Sequence, residues 1–116
     1  MDKKIALFAF NGDPMCFVHV LLNALDMHER GYDIKLVIEG SATTLIETLA
    51  APAAPFGELY EKVKRMKLID AVCRACASKM GTLNEAQAQG LPMNKELSGH
   101  PSMGSYLDQG YEIITF

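Results

Sequence analysis

The sequence has no tryptophan, and its 11 lysines and arginines are outnumbered by 14 aspartates and glutamates, for a formal net charge of −3. Without a basic excess, or aromatics interleaved with Lys and Arg, it lacks the surface that binds nucleic acid. No stretch reaches the ~20 consecutive apolar residues needed to cross a bilayer, so no membrane partner is expected. Lys3-Lys4 and the short apolar run behind them stop at Asn11-Gly12-Asp13-Pro14. A secretory signal needs a longer apolar core and a small-residue cleavage site, so this run reads as an opening strand and the expected location is cytoplasmic. Internal repeats and low-complexity segments are missing too, which leaves one domain over residues 1–116. Neither G-x-G-x-x-G nor G-x-x-x-x-G-K-[ST] occurs, so the first strand-to-helix turn carries no dinucleotide or P-loop fingerprint. Cysteine is sparse: Cys16, Cys73 and Cys76. An odd number, two of them in a CxxC, fits reduced thiols better than a disulfide framework.

What is present is enough apolar sequence for a real core: 49% of 116 residues are hydrophobic, and a chain of this length needs no disulfide or structural metal to fold. Strand-like and helix-like segments alternate. Residues 4–10 form an apolar run of the kind buried on both faces of a sheet. Asp13-Pro14 reads as a helix N-cap followed by proline at the first helical position, and residues 15–30 show helical spacing closed by Gly31. A second strand is expected over Asp33–Glu39, then a short helix from Thr43 to Ala50, broken by Pro52 and Pro55. Residues 57–66 repeat Leu59, Tyr60, Val63 and Met66 at helical intervals. Leu68–Val72 reads as the third strand, followed by helical segments at 74–80 and 83–89. Leu91-Pro92-Met93 is an edge strand or an extended connection, 98–102 a loop, 103–109 a helix capped by Ser102, and Tyr111–Phe116 a terminal strand. Such alternation specifies an α/β domain, a mostly parallel sheet with helices on both faces.

Chemistry concentrates in Val72-Cys73-Arg74-Ala75-Cys76-Ala77-Ser78-Lys79-Met80-Gly81. Cys73 stands at the carboxyl end of a strand, where open α/β folds gather ligands, and at the amino end of a helix. The helix terminus and the neighbouring Arg74 cation are expected to make its thiol ionise more easily than the ordinary value of ~8.5. Cys76 lies one turn on, placed to close a disulfide or to receive a sulfur atom. The same pair could instead be two small residues packing a helix start, or a thioredoxin-like centre, although a thioredoxin carries its CxxC earlier in the fold. Zinc is a further alternative, with Cys16 from the first loop and His100 from the late loop joining Cys73 and Cys76. Asn11, at the end of the first strand, is a candidate binding residue by position. His19 reads as packed or partly exposed and His28 as surface. His100, in Gly99-His100-Pro101-Ser102, is the histidine most worth testing, because loops at this edge carry function.

The Asn-Gly-Asp-Pro turn before a long helix, the strand that delivers Cys73, and the ending Gly90-Leu91-Pro92…Gly99-His100-Pro101-Ser102…Gly110-Tyr111-Glu112-Ile113-Ile114 resemble the DsrE/DsrF-like family. These are small sulfur-relay proteins that include TusD-type sulfurtransferase subunits. The resemblance implies a flavodoxin-like three-layer sandwich with a sheet of about five strands. It also implies a homo-oligomer, commonly a trimer or hexamer, that needs no cofactor and exchanges sulfur with donor and acceptor proteins. By the same resemblance, Cys73 would accept sulfur as a persulfide, and Cys76 would be an additional thiol. The alternatives that stay open are an oligomeric small-ligand or metal-binding module without turnover, and a CxxC thiol–disulfide protein.

Overall fold

The computed structural model describes residues 3–116. Strand β1 (Lys4–Ala9) runs into an Asx turn in which the Asn11 side chain accepts the Asp13 amide at 2.8 Å. Asp13 in turn caps helix α1 (Pro14–Glu29), its carboxylate accepting from the Met15 amide, with proline at a position that has no intrahelical N–H to lose. Strand β2 (Asp33–Ile38) follows. A 3-10 helix at Gly40–Thr44 then leads into α2 (Leu45–Ala50), where the sequence predicts one helix starting at Thr43. The extra tight turn arises because the Thr43 hydroxyl donates back to the Gly40 carbonyl at 2.8 Å, the local competition that hydroxyl side chains offer to helical bonding. The remaining elements are α3 (Gly57–Arg65), β3 (Ile69–Cys73), α4 (Arg74–Lys79), α5 (Leu83–Ala88), β4 (Met93–Asn94), α6 (Met103–Asp108) and β5 (Glu112–Thr115).

All five strands are parallel, in the order β4-β3-β2-β1-β5. The chain therefore steps outward from β1 to β4 and then crosses back to place β5 on the far side of β1. Right-handed crossovers put the helices of the outward steps on one face and that of the return on the other. The core divides accordingly. On the first face Ile5, Leu7, Ile34, Leu36 and Ile38 pack with residues of α1, α2, α3, α4 and α5, among them Phe17, Leu21, Ile46, Tyr60, Ala77 and Ala86. Within it the Tyr60 hydroxyl donates to Gln89 at 2.6 Å, and Gln89 donates to the Ile46 carbonyl at 3.0 Å, so the polar groups of α3 and of the α5 end are satisfied by each other. On the second face α6 alone covers Ala6, Phe8, Val37 and Ala71. The result is a three-layer α/β sandwich of flavodoxin-like architecture.

The two connections that leave β3 and β4 go to opposite faces, α4 and α5 to the first and α6 to the second. In open α/β sheets that divergence opens a crevice at the carboxyl ends of the two strands. It lies here between Cys73 and Asn94, which pair in register.

The thin second face is held by Tyr106. Its ring meets Phe8 edge-on, with centroids 5.4 Å apart, and its hydroxyl donates to Asp70 at 2.6 Å, while Lys35 approaches the same carboxylate at 3.3 Å. Tyr106→Phe keeps the ring and removes the bond to a charged acceptor, so the variant should lose about 1.5 kcal/mol in urea unfolding, with no change in its far-UV spectrum.

Candidate functional site

Four chemically active side chains converge at the β3–β4 crevice. Cys73 is the last residue of β3 and the N-cap of α4, its Sγ accepting from the Cys76 amide at 3.4 Å. Cys76 follows one turn later in α4. Glu39 sits one residue beyond β2, and because Ile38 pairs with Val72 in the neighbouring strand, the next step brings Glu39 level with Cys73. His100 arrives from the loop after β4. The ligand atoms of Glu39, Cys73, Cys76 and His100 all lie within 4.8 Å of one another. Cys73 has no exposed surface and Glu39 only 7%, whereas Cys76 and His100 are half-buried.

The delivery of His100 follows from local backbone chemistry. Leu97 and His100 exchange both backbone bonds, at 2.7 and 2.9 Å, around Ser98 and Gly99. Their φ values of 50° and 94° are the two positive angles of a type I′ turn. Gly99 is required there twice over: its φ is left-handed, and an added Cβ would lie 3.0 Å from the Ala75 Cβ. That close approach lets the Gly99 carbonyl accept the Ala75 amide at 2.9 Å, which clamps the turn onto the first turn of α4. Buried Pro101 follows, and a residue before proline is held to extended backbone. The His100 ring then sits with Nδ1 3.0 Å from Cys73 Sγ and 3.7 Å from Cys76 Sγ. Cys73 Sγ also lies 3.8 Å from the Gly99 carbonyl oxygen.

The electrostatics correct one sequence expectation. Burial pushes the Cys73 thiol up to about 12, and its neighbours Cys76 and Glu39 add to the shift, while the Cys76 amide opposes it. Desolvation of the thiolate is the largest of these effects and outweighs the Cys76 amide at the helix terminus, and Arg74 does not figure among the causes of the shift. The Glu39 carboxyl is raised by burial as well, and is pulled partly back by His100 and by a hydrogen bond with Cys73.

Of the residues singled out from the sequence, Cys73, Cys76 and His100 come together and three others do not. Cys16, in the first turn of α1, is outside the cluster, because that helix starts beyond β1, two strands away from β3. Asn11 is exposed at the end of β1 and its side-chain oxygen accepts the Asp13 amide in the Asx turn, outside the cluster. Arg74 is half-buried at the start of α4, with no hydrogen bond or ion pair from its side chain among the described residues. Glu39 was missed. Its signal was an acidic residue closing an otherwise apolar parallel strand, at the edge where ligands gather. A surface groove lined by Leu49, Pro52, Phe56, Glu58 and Arg65 contains none of the cluster.

Differential thiol labelling reads this geometry. In the native protein at pH 8, iodoacetamide should modify the half-buried Cys76 and leave Cys73 protected until the chain is unfolded, as peptide mass spectrometry would report. A thiol raised to about 12 stays protonated where an ordinary thiol of pKa ~8.5 is already ionised. Any Cys73 rate should therefore still climb about tenfold per pH unit above pH 9.

No protein-family model matches the chain. In fold it is similar to the conserved protein of unknown function BT1422 from Bacteroides thetaiotaomicron, with a TM-score of 0.69 over 98% of this chain and 95% of that one at 16% sequence identity. An uncharacterized protein of Archaeoglobus fulgidus is 51% identical over 45 residues, which span 39% of this chain and 74% of that protein. The uncharacterized protein MJ0733 of Methanocaldococcus jannaschii is 36% identical over 97 residues, 84% of this chain and 77% of its own length. By that relationship the chain belongs to the same family as the Methanocaldococcus jannaschii protein.

Proposed function

We propose that this protein handles sulfane sulfur on the Cys73–Cys76 dithiol; the resemblance to DsrE-like sulfur-relay proteins implies loading on Cys73, and the full burial of that thiol moves the first step to Cys76. The observation that carries the reading is one imidazole nitrogen within reach of both thiols, 3.0 Å from Cys73 and 3.7 Å from Cys76. A histidine so placed takes the proton from whichever thiol reacts, which offsets the burial that disfavours a free thiolate.

Burial divides the work. Cys76 is the thiol a donor protein can reach, so it is the first to react. It passes its proton to His100, and its thiolate attacks the outer sulfur of a donor persulfide. The donor's S–S bond breaks, the donor leaves as a thiolate, and Cys76 holds the sulfur as Cys–S–S⁻. From there an acceptor thiolate takes the outer sulfur and restores Cys76. Alternatively His100 returns its proton to the outer sulfur and takes the proton of Cys73, whose thiolate attacks Cys76 Sγ and expels hydrosulfide. In that second course the sulfane sulfur is reduced, and the dithiol is oxidised to a Cys73–Cys76 disulfide.

Intact-mass spectrometry of the reduced, metal-free protein tests this, before and after incubation with a cysteine desulfurase and cysteine. The Cys73→Ser variant should gain one sulfur atom on the Cys76 peptide and lose it to added thiol. Wild type should gain the sulfur or lose two hydrogens, and Cys76→Ser should do neither. A Cys73→Ser protein that stays unmodified while native by circular dichroism rejects the reading.

We also propose that the chain self-associates through its second face. There the single helix α6 leaves Leu107 57% and Phe10 37% exposed beside the partly buried Met103 and Ile113. Light scattering after size exclusion should give a multiple of the 12.7 kDa chain mass, and Leu107→Glu should lower it; a monomer at micromolar concentration would contradict this.

A further inference from the structure

From the convergence of Glu39, Cys73, Cys76 and His100, we infer that the crevice between β3 and β4 is a binding site for one divalent cation of the zinc type. The donor set is two sulfurs, one imidazole nitrogen and one carboxylate oxygen, a combination suited to zinc and poorly suited to magnesium or calcium, which take all-oxygen shells. Three separate segments supply it: the residue after β2, the β3–α4 junction, and the type I′ turn before α6.

The spacing fits a tetrahedron. Metal–sulfur bonds of ~2.3 Å and metal–nitrogen or metal–oxygen bonds of ~2.0–2.2 Å place neighbouring ligand atoms about 3.4–3.8 Å apart. His100 Nδ1 lies 3.0 Å from Cys73 Sγ and 3.7 Å from Cys76 Sγ, and no pair within the set of four exceeds 4.8 Å. That upper bound exceeds the tetrahedral range by about 1 Å, a gap that side-chain rotation can close. The Cys76 amide, 3.4 Å from Cys73 Sγ, is already aimed at the sulfur that would carry the coordinated charge, a second-shell bond of the kind that orients metal ligands.

The alternative to a cation is costly. Gathering two thiols, a carboxyl and an imidazole where Cys73 has no exposure and Glu39 only 7% removes their hydration, and one cation would neutralise what burial otherwise penalises. The CxxC also gives the ion a two-point grip within one helical turn. The site does not depend on sulfur loading. It does oppose it, since an ion held by both thiols leaves none free to attack a persulfide.

The test is a Co²⁺ titration of reduced, chelator-stripped protein, followed by displacement with Zn²⁺ against a chromophoric chelator. One equivalent of Co²⁺ should give a near-ultraviolet sulfur-to-cobalt charge-transfer band and the intense visible bands of a tetrahedral site, and one equivalent of Zn²⁺ should abolish both. Glu39→Gln and His100→Ala should each weaken Zn²⁺ at least 10-fold, because even outer-shell losses commonly cost 10–100-fold. Cys76→Ser should remove the charge-transfer band or halve it, and Cys16→Ser should change nothing. The proposal is overturned by weak octahedral cobalt spectra with no sulfur band. It is equally overturned by full Zn²⁺ affinity in both Glu39→Gln and His100→Ala, which would reduce the site to adventitious dithiol binding. Persulfide loading of the metal-free protein is read separately, so either chemistry can fail without the other.

Discussion

The site depends on one backbone hydrogen bond, from the Ala75 amide to the Gly99 carbonyl at 2.9 Å. It joins the middle of the CxxC to the turn that carries His100, two segments 24 residues apart in sequence by their numbering, and so turns two separate loops into one constellation. The bond forms because both partners are small. Ala75 leaves room for the turn, and Gly99 adopts a left-handed φ of 94° with no side chain to collide with Ala75. An amide in the first turn of a helix has no intrahelical acceptor, so this contact also satisfies a donor that α4 cannot satisfy by itself.

The parallel sheet supplies the other half of the arrangement. Its strands all end at the same edge, and the register of β2 against β3 brings Glu39 level with Cys73. The reversal of direction after β4 sends the chain away from α4 and α5, toward α6, which opens the crevice that the turn at Leu97–His100 then partly closes. Depth inside it differs from residue to residue. Cys73 belongs to the strand and shares its burial, while Cys76, a turn into α4, is half-buried at the rim. Two cysteines three residues apart thereby acquire different accessibility, the difference on which any ordered thiol chemistry would rest.

The two faces of the sheet are unequally finished. Five helices seal the first, with Leu7, Leu21, Leu36, Tyr60 and Val63 fully buried. The second relies on α6 and on a rim of tyrosine–aspartate bonds, Tyr106 to Asp70 and Tyr111 to Asp33. Those phenols serve as hydrophobic cover and as polar contacts at once, which suits a face that is only thinly covered.

The strands, the helices and the parallel arrangement were legible in the residues because each rests on local patterns: apolar runs at residues 4–10 and Leu68–Val72, which the observed strands Lys4–Ala9 and Ile69–Cys73 match to within a residue, helical spacing through α1, and turn residues at Asp13-Pro14 and Gly31. The short 3-10 helix was not, since it turns on a single hydroxyl bond from Thr43 to Gly40. Cys73, Cys76 and His100 could be named because their residue types advertise chemistry. Glu39 could not, because a carboxylate at the end of a strand means nothing until the strand beside it is known. Nor could the ionisation of Cys73, where the sequence suggested a helix-stabilised thiolate and burial produced the reverse. The sequence by itself determined an α/β domain with two thiols and an imidazole at the carboxyl edge of its sheet. Only the tertiary structure decided that Glu39 joins them, that Cys16 stays away and that Cys73 is shut off from water. Distances between segments and exclusion of solvent are properties of packed chains, and no short stretch of residues encodes them.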